Sequence, residues 1–349
     1  MCRGLNQAHP AAQGDLPVNP TIRPHRFVLL PRCYLLAASL LLCNLKSFSQ
    51  SLQSPASGAA PSSKIAVKSE LVALPVRVTD SHGNVVSGLN QKDFSVFEDG
   101  RPQKLTLFEQ EDAPVTVGLI VDHSRSMGPK LAEVAAAVSA FAHSSNPQDE
   151  MFVVDFNDHV WLQILGGKPF THSAADLEKE IGAVSARGRT ALYDAVSEGL
   201  NHLRFGLCEK KALIIVSDGG DNASHEKFSQ VLAQAQRSEV LIYSIVLEGD
   251  GQEENPGALR RLSKSTGGIS YFPTSAETIA SISALIARDL RDQYTLGFAP
   301  AQQSGNASFR KIQVKVSGPG RSKLHVRYRP GYFALDTALI SPQSGKGAS

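Results

Sequence analysis

Val115-Thr116-Val117-Gly118-Leu119-Ile120-Val121-Asp122-His123-Ser124-Arg125-Ser126 is the stretch that decides the fold. Its first seven residues form an apolar, β-branched run, which reads as a buried strand. The Asp-x-Ser-x-Ser that follows puts one carboxylate and two hydroxyls in the turn before a helical stretch. Such a cluster offers hard oxygen donors with little negative charge, which suits Mg²⁺ with a coordination position left open for a carboxylate from elsewhere. Taken alone, Ser and Asp before a helix are also ordinary N-caps and need no metal.

From this stretch to about Arg291, apolar strands alternate with amphipathic helices. Strands are expected at 115–121, 151–156, 160–165, 212–217, 240–246 and 268–272. Helices are expected at 130–142, 174–184, 191–203, 226–237, 257–265 and 276–291. The alternation predicts an α/β fold: a doubly wound, mostly parallel six-stranded sheet, Rossmann-like in layout, with helices on both faces. Only the link between Phe156 and Val160, with Asn157-Asp158 inside it, is short enough for a hairpin, so one strand there is expected to be antiparallel.

Short β segments flank this domain. Before it, residues 71–79 alternate in their second half. Asp80-Ser81-His82-Gly83-Asn84 is turn chemistry, from which Val85-Val86 is expected to start a partner strand. Residues 94–100 and 105–108 are expected to form a second strand–turn–strand unit. After it come strands at 293–298, 309–316 and 323–328, with Gly318-Pro319-Gly320 as the final turn. The expected division is a β segment at 65–111, the α/β domain at 112–292, a second β segment at 293–335 pairing with the first, and a disordered tail at 336–349.

The N-terminal part reads as targeting material. Arg23, Arg26 and Arg32 precede an apolar run from Tyr34 to Cys43, and small residues follow at Ser47 and Ser49. This predicts a signal peptide or membrane anchor at 1–49, then a flexible linker at 50–64, and a periplasmic, cell-surface or secreted location. If that segment is removed, Cys208 is the only cysteine left and no intrachain disulfide is available. With 35 basic and 33 acidic residues the charges nearly balance, which speaks against a nucleic-acid partner.

Open parallel sheets present their site residues at the carboxyl ends of the strands, where the topology switches. Asp122 follows the first central strand and Asp218 follows Ala212-Leu213-Ile214-Ile215-Val216-Ser217, so the two carboxylates are expected to face one crevice. Between them in sequence, the loop Gly188-Arg189-Thr190 leads into a helix and offers a third hydroxyl near its N-cap. His123 and Arg125 lie inside the motif without being expected as ligands. Phe156 and Trp161 are expected in the core.

The series Asp122, Ser124, Ser126, Thr190 and Asp218 resembles the metal-ion-dependent adhesion site of von Willebrand factor A domains, complete in all five positions. The flanks resemble those of exported A-domain-related proteins known mainly from acidobacteria. That resemblance lies in Leu89-Asn90-Gln91-Lys92-Asp93-Phe94, Glu98-Asp99-Gly100, Gln293-Tyr294-Thr295-Leu296-Gly297-Phe298, Phe309-Arg310-Lys311-Ile312 and Arg329-Pro330-Gly331-Tyr332. It implies that Ser124, Ser126 and Thr190 ligate through hydroxyls, and that Asp122 and Asp218 serve directly or through water. The ion expected is Mg²⁺, with Mn²⁺ or Ca²⁺ able to substitute. The function implied is a non-enzymatic, metal-dependent protein-binding or adhesion module whose protein partner, not identified by the sequence, presents an Asp or Glu.

Two other readings compete. One is a structural envelope scaffold with a vestigial or purely stabilising site. The other is a metal-dependent phosphoryl-transfer enzyme, which would need a second Asp where Ser124 stands and a phosphate-binding Lys loop that the chain lacks.

Overall fold

The computed structural model describes residues 71–110, 112–164, 167–181, 185–247, 254–300, 308–317 and 323–334. The expected export segment (1–49), linker (50–64), tail (336–349) and Gly318-Pro319-Gly320 turn lie outside the described residues.

The six-stranded sheet is built from β5 (Val115–Asp122), β6 (Glu150–Phe156), β7 (Val160–Leu162), β8 (Lys210–Ser217), β9 (Leu241–Val246) and β10 (Ser270–Tyr271), in the order β10-β9-β8-β5-β6-β7. All neighbours are parallel except β6 and β7, which form the expected antiparallel hairpin. Both β5 and β6 are buried along their whole length, as apolar runs covered on both faces must be. Alternate residues feed two cores. Val117, Leu119 and Val121 pack with α1 (Leu131–Ser144) and α6 (Ala276–Arg291). Ile120, Phe152 and Val154 pack on the other face with α3 (Leu192–His202), α4 (Phe228–Arg237) and α5 (Pro256–Thr266). The remaining helix, α2 (Ala174–Ile181), adds Leu177 and Ile181 to the first core. From β5 the chain moves to β6 on one side and later returns to β8 on the other, so the switch point lies between β5 and β8.

Gly268, at the entry to β10, lies against the β9 backbone: a Cβ there would stand 1.9 Å from the Ile242 carbonyl oxygen. Backbone cannot rotate out of the way as a side chain can. Gly268→Ala is therefore expected to cost about 1–3 kcal/mol in a urea titration, with the same slope as wild type.

The flanking strands are β1 (Val72–Thr79), β2 (Phe94–Glu98), β3 (Arg101–Gln103), β4 (Leu105–Glu109), β11 (Tyr294–Phe298), β12 (Phe309–Val316), β13 (His325–Tyr328) and β14 (Gly331–Phe333). They form two antiparallel four-stranded sheets, β13-β1-β11-β4 and β14-β12-β2-β3, each mixing strands from before and after the α/β part. Leu74, Val76 and Leu296 of the first sheet share one core with Val96, Ile312 and Val314 of the second.

Two local pairings differ from expectation. Val85 makes only an isolated bridge to Thr79, and the real partners of β1 are β11 and β13. The unit at 94–108 is split: β2 turns back onto β3, whereas β4 crosses to the other sheet and pairs with β11. Pro75 contributes to this layout. It lacks an N–H, and β1 pairs with β13 only from Val76 onward.

A buried polar cluster joins α6 to this β part. Asp289, 2 % exposed, pairs through one carboxylate oxygen with Arg77 of β1 and through the other with Arg327 of β13. The second oxygen also accepts from the Tyr243 hydroxyl at 2.6 Å, and Arg327 donates to the Gly267 carbonyl at 2.7 Å.

Candidate metal centre

Strand β5 delivers Asp122 fully buried at its carboxyl end. One Asp122 oxygen accepts the Ser124 N–H at 2.9 Å, which curls the chain into the turn that carries both serines. The other accepts the Ser217 hydroxyl at 2.6 Å, from the last residue of neighbouring β8. The next residue, Asp218, accepts the Ser126 hydroxyl at 2.7 Å, and Ser124 and Ser126 hydroxyl oxygens lie 3.1 Å apart. Asp122, Ser124, Ser126 and Asp218 thus form one linked group of oxygens across the β5–β8 switch point.

Thr190 lies one loop over. Its N–H donates to the Asn222 side-chain oxygen at 2.9 Å, and its carbonyl accepts from the N–H groups of Asn222 and Ala223. Among the described residues, no hydrogen bond joins its hydroxyl to the other four side chains. The loop is fixed to its neighbours by backbone bonds, with Arg125 N–H to Gly188 O at 3.3 Å, Arg187 N–H to His123 O at 2.9 Å and Ala191 N–H to Asn157 O at 2.6 Å. Gly188 has φ +78°, a conformation that strains any residue with a side chain, so the loop favours glycine at this point; the Asp158 carboxylate lies against it. The helix begins at Leu192 with Ala191 as N-cap, which leaves Thr190 just outside it.

His123 is fully buried and bonds Asp155 through Nε2 at 2.9 Å, while its Nδ1 has no hydrogen-bond partner. Asp194 holds the loop at 225–226, accepting the Glu226 N–H at 2.8 Å. Asp221 accepts from the Ser224 hydroxyl and the Tyr193 N–H. Phe156 is buried as expected, but Trp161 is 40 % exposed: it lies on the edge strand β7, with no further strand beyond it. Sequence reasoning missed Ser217 and Asn222. The signals were a single hydroxyl closing an apolar strand and an Asn four residues after Asp218.

Burial pushes the Asp122 carboxyl up to about 6, and the nearby Asp218 charge adds to this; the bonds from Ser124 and Ser217 oppose it. Among the described residues, neither Asp122 nor Asp218 has a Lys, Arg or His within ion-pair distance. Two buried carboxylates side by side without a cation are costly. A divalent ion fits this deficit, and the donors that surround it are hydroxyls and carboxylates, the set a hard ion prefers. No group of three or more His, Cys, Asp or Glu side chains able to hold a metal occurs among the described residues.

The sequence model of the von Willebrand factor type A domain matches residues 117–285. Among solved structures, a von Willebrand factor type A protein from Catenulispora acidiphila is similar at 14% identity, over 72% of this chain and 76% of that one, with a TM-score of 0.45. The conserved hypothetical protein BatB from Bacteroides thetaiotaomicron is similar at 17% identity, over 50% of this chain and 98% of that one, with a TM-score of 0.41. Proximal thread matrix protein 1 from the mussel byssus, solved with a zinc-occupied MIDAS motif, is similar at 19% identity, over 56% of this chain and 50% of that one, with a TM-score of 0.43. Among curated proteins none matches the chain.

Proposed function

Because residues 117–285 are a von Willebrand factor type A domain, we propose that the chain is a non-enzymatic, divalent-metal-dependent protein-binding module. Asp122, Ser124, Ser126, Thr190 and Asp218 would hold the ion, with Mg²⁺ the first candidate and Mn²⁺ or Ca²⁺ as substitutes. When bound, the ion supplies positive charge that a partner's Asp or Glu completes. The observation that carries this reading is the pair of buried carboxylates, Asp122 and Asp218, set among serine hydroxyls with no protein cation.

The division of labour follows from the geometry. Ser217 and the Ser124 N–H occupy one lone pair on each Asp122 oxygen and so fix its orientation. The Gly220 N–H does the same for Asp218 at 2.9 Å. The serine hydroxyls are neutral, so they orient around a cation without quenching its charge, which leaves it attractive to an outside carboxylate. The sequence of 1–49 supports an exported location. Among the described residues no helix is long and apolar enough to cross a membrane.

Thermal melting with Mg²⁺ and with chelator tests the site. Wild type is expected to gain a few degrees with saturating Mg²⁺, because only the folded chain assembles these oxygens. Asp218→Ala is expected to lose that gain. A wild-type melting curve that Mg²⁺, Mn²⁺ and Ca²⁺ all leave unmoved would rule out the metal reading.

A further inference from the structure

Three arginines lie in the loops that carry the candidate metal ligands. Arg125 stands between Ser124 and Ser126 in the chain, and Arg187 and Arg189 lie just before Thr190. All three are exposed, whereas the oxygen-bearing residues beside them are buried or half-buried. The backbone bonds Arg125 N–H to Gly188 O and Arg187 N–H to His123 O hold the two arginine-bearing loops edge to edge. The two loops therefore bring three exposed arginine residues close together beside the candidate site.

Of the acids nearby, Glu133 faces Lys130 at 3.5 Å and Asp221 is bonded to Ser224 and Tyr193. The Asp158 carboxylate lies against Gly188, the residue between Arg187 and Arg189, and also faces His159 at 3.3 Å. Among the described residues, none of Arg125, Arg187 and Arg189 has a carboxylate partner; Arg189 donates to the Asn222 carbonyl at 3.3 Å.

Charge arithmetic then bears on the partner. A divalent ion would balance Asp122 and Asp218, and the three guanidinium groups of the adjoining loops exceed the one carboxylate, Asp158, that lies against those loops. Cations placed beside a dication repel it and one another, and a partner with one carboxylate in neutral surroundings relieves little of that repulsion. A segment with several carboxylates turns each repulsion into attraction, and the planar guanidinium fork suits carboxylates.

Resting on the metal-dependent reading above, we propose that the partner presents an acidic segment. One carboxylate reaches the ion, and Arg125, Arg187 and Arg189 hold the acidic residues that flank it.

Fluorescence anisotropy with two labelled peptides tests this: hexaglutamate, and a peptide with one Glu among glycines and serines. Each is titrated with the full chain in Mg²⁺ and in chelator. Hexaglutamate is expected to bind at least about tenfold more tightly than the single-Glu peptide at low salt, with the advantage shrinking as salt rises. The chelator is expected to weaken both. The double variant Arg125→Gln/Arg187→Gln is expected to lose the hexaglutamate advantage while showing a Mg²⁺ melting shift at least as large as that of wild type, which shows that the site itself is intact. Arg189→Gln is measured separately because of its bond to Asn222.

Equal affinities for the two peptides, no binding of hexaglutamate, or an advantage that survives in the double variant would overturn the inference while the Mg²⁺ shift stands. A wild-type chain without a Mg²⁺ shift would remove the metal reading, and this inference with it.

Discussion

Asp289→Ala is expected to destabilise the protein by about 3–5 kcal/mol, more than a change at any exposed charge. Asp289 is the only carboxylate in its cluster among the described residues, and it faces Arg77 and Arg327 together. Arg77 is 6 % exposed and its Nη1 already lacks a hydrogen-bond partner. Removing the carboxylate leaves the buried Arg77 and the part-buried Arg327, whose side chain is 24 % exposed, without their anion, and deprives the Tyr243 hydroxyl of its acceptor. The cost is therefore that of unpaired buried charge rather than the net worth of one ion pair. A control separates these quantities. The triple variant Arg77→Met/Asp289→Leu/Arg327→Met removes the charges together and is expected to be more stable than Asp289→Ala alone. Urea titrations of both variants measure the difference. A loss below about 1 kcal/mol for Asp289→Ala would mean that water reaches the cluster in solution.

The second large effect concerns Asp122 and reverses sign when metal is added. Its carboxyl is raised by burial from 3.8 to about 6. Between those values the folded chain binds a proton that the unfolded chain has released. Without a divalent ion, this group therefore favours the folded state at low pH, and that contribution is lost as pH rises through about 6. The shift is about 2 pH units, which amounts to about 3 kcal/mol. With Mg²⁺ the order changes, because protons and the ion compete for the same carboxylate. The Mg²⁺-induced rise in Tm is expected to be small near pH 5 and several-fold larger near pH 7.5. Asp122→Asn is expected to flatten both behaviours: the metal-free protein gains stability at pH 7.5, and the Mg²⁺ gain disappears. Ser217 can accommodate the amide, since its hydroxyl oxygen, which already accepts the Gly219 N–H, has a second lone pair to accept with. A Mg²⁺ shift of equal size at both pH values would show that Asp122 is not where proton and ion compete.

The sequence was most informative where short-range rules operate. The period of apolar residues set out the strands and helices of the α/β part, and the short link at Asn157-Asp158 exposed the one antiparallel strand. Asp122, Ser124, Ser126 and Asp218 could be expected near one another because each follows a central strand, and in an open sheet such positions share one edge. Choices made over long distances were not legible. Val85-Val86 follows a good turn and still does not pair as a strand, because β11 and β13 offer β1 a longer register and a shared apolar face. Nothing in the local sequence marks Arg77, Arg310 and Glu98 for burial, yet all are buried, Arg310 with Glu98 at 3.1 Å. Their partners lie in distant sequence, where local patterning carries no information. Ser217 and Asn222 escaped notice for the same reason, since their roles exist only once three loops have closed on one another.

The strand order β13-β1-β11-β4 also bears on how the chain is made. Strand β1 has neighbours on both sides, and both are synthesised after strands β5 to β10. Until they emerge, Val72, Leu74, Val76 and Val78 form an apolar stripe with open backbone edges, the kind of segment that pairs with the wrong chain. The strands β5 to β10 need nothing from beyond α6 to complete their own sheet. Birth order thus favours an α/β part that folds first and serves as the platform on which the early and late strands finally meet. A nascent chain halted just before β11 would carry a finished α/β part beside an unfinished β unit, and in that interval the protein would be most in need of a chaperone.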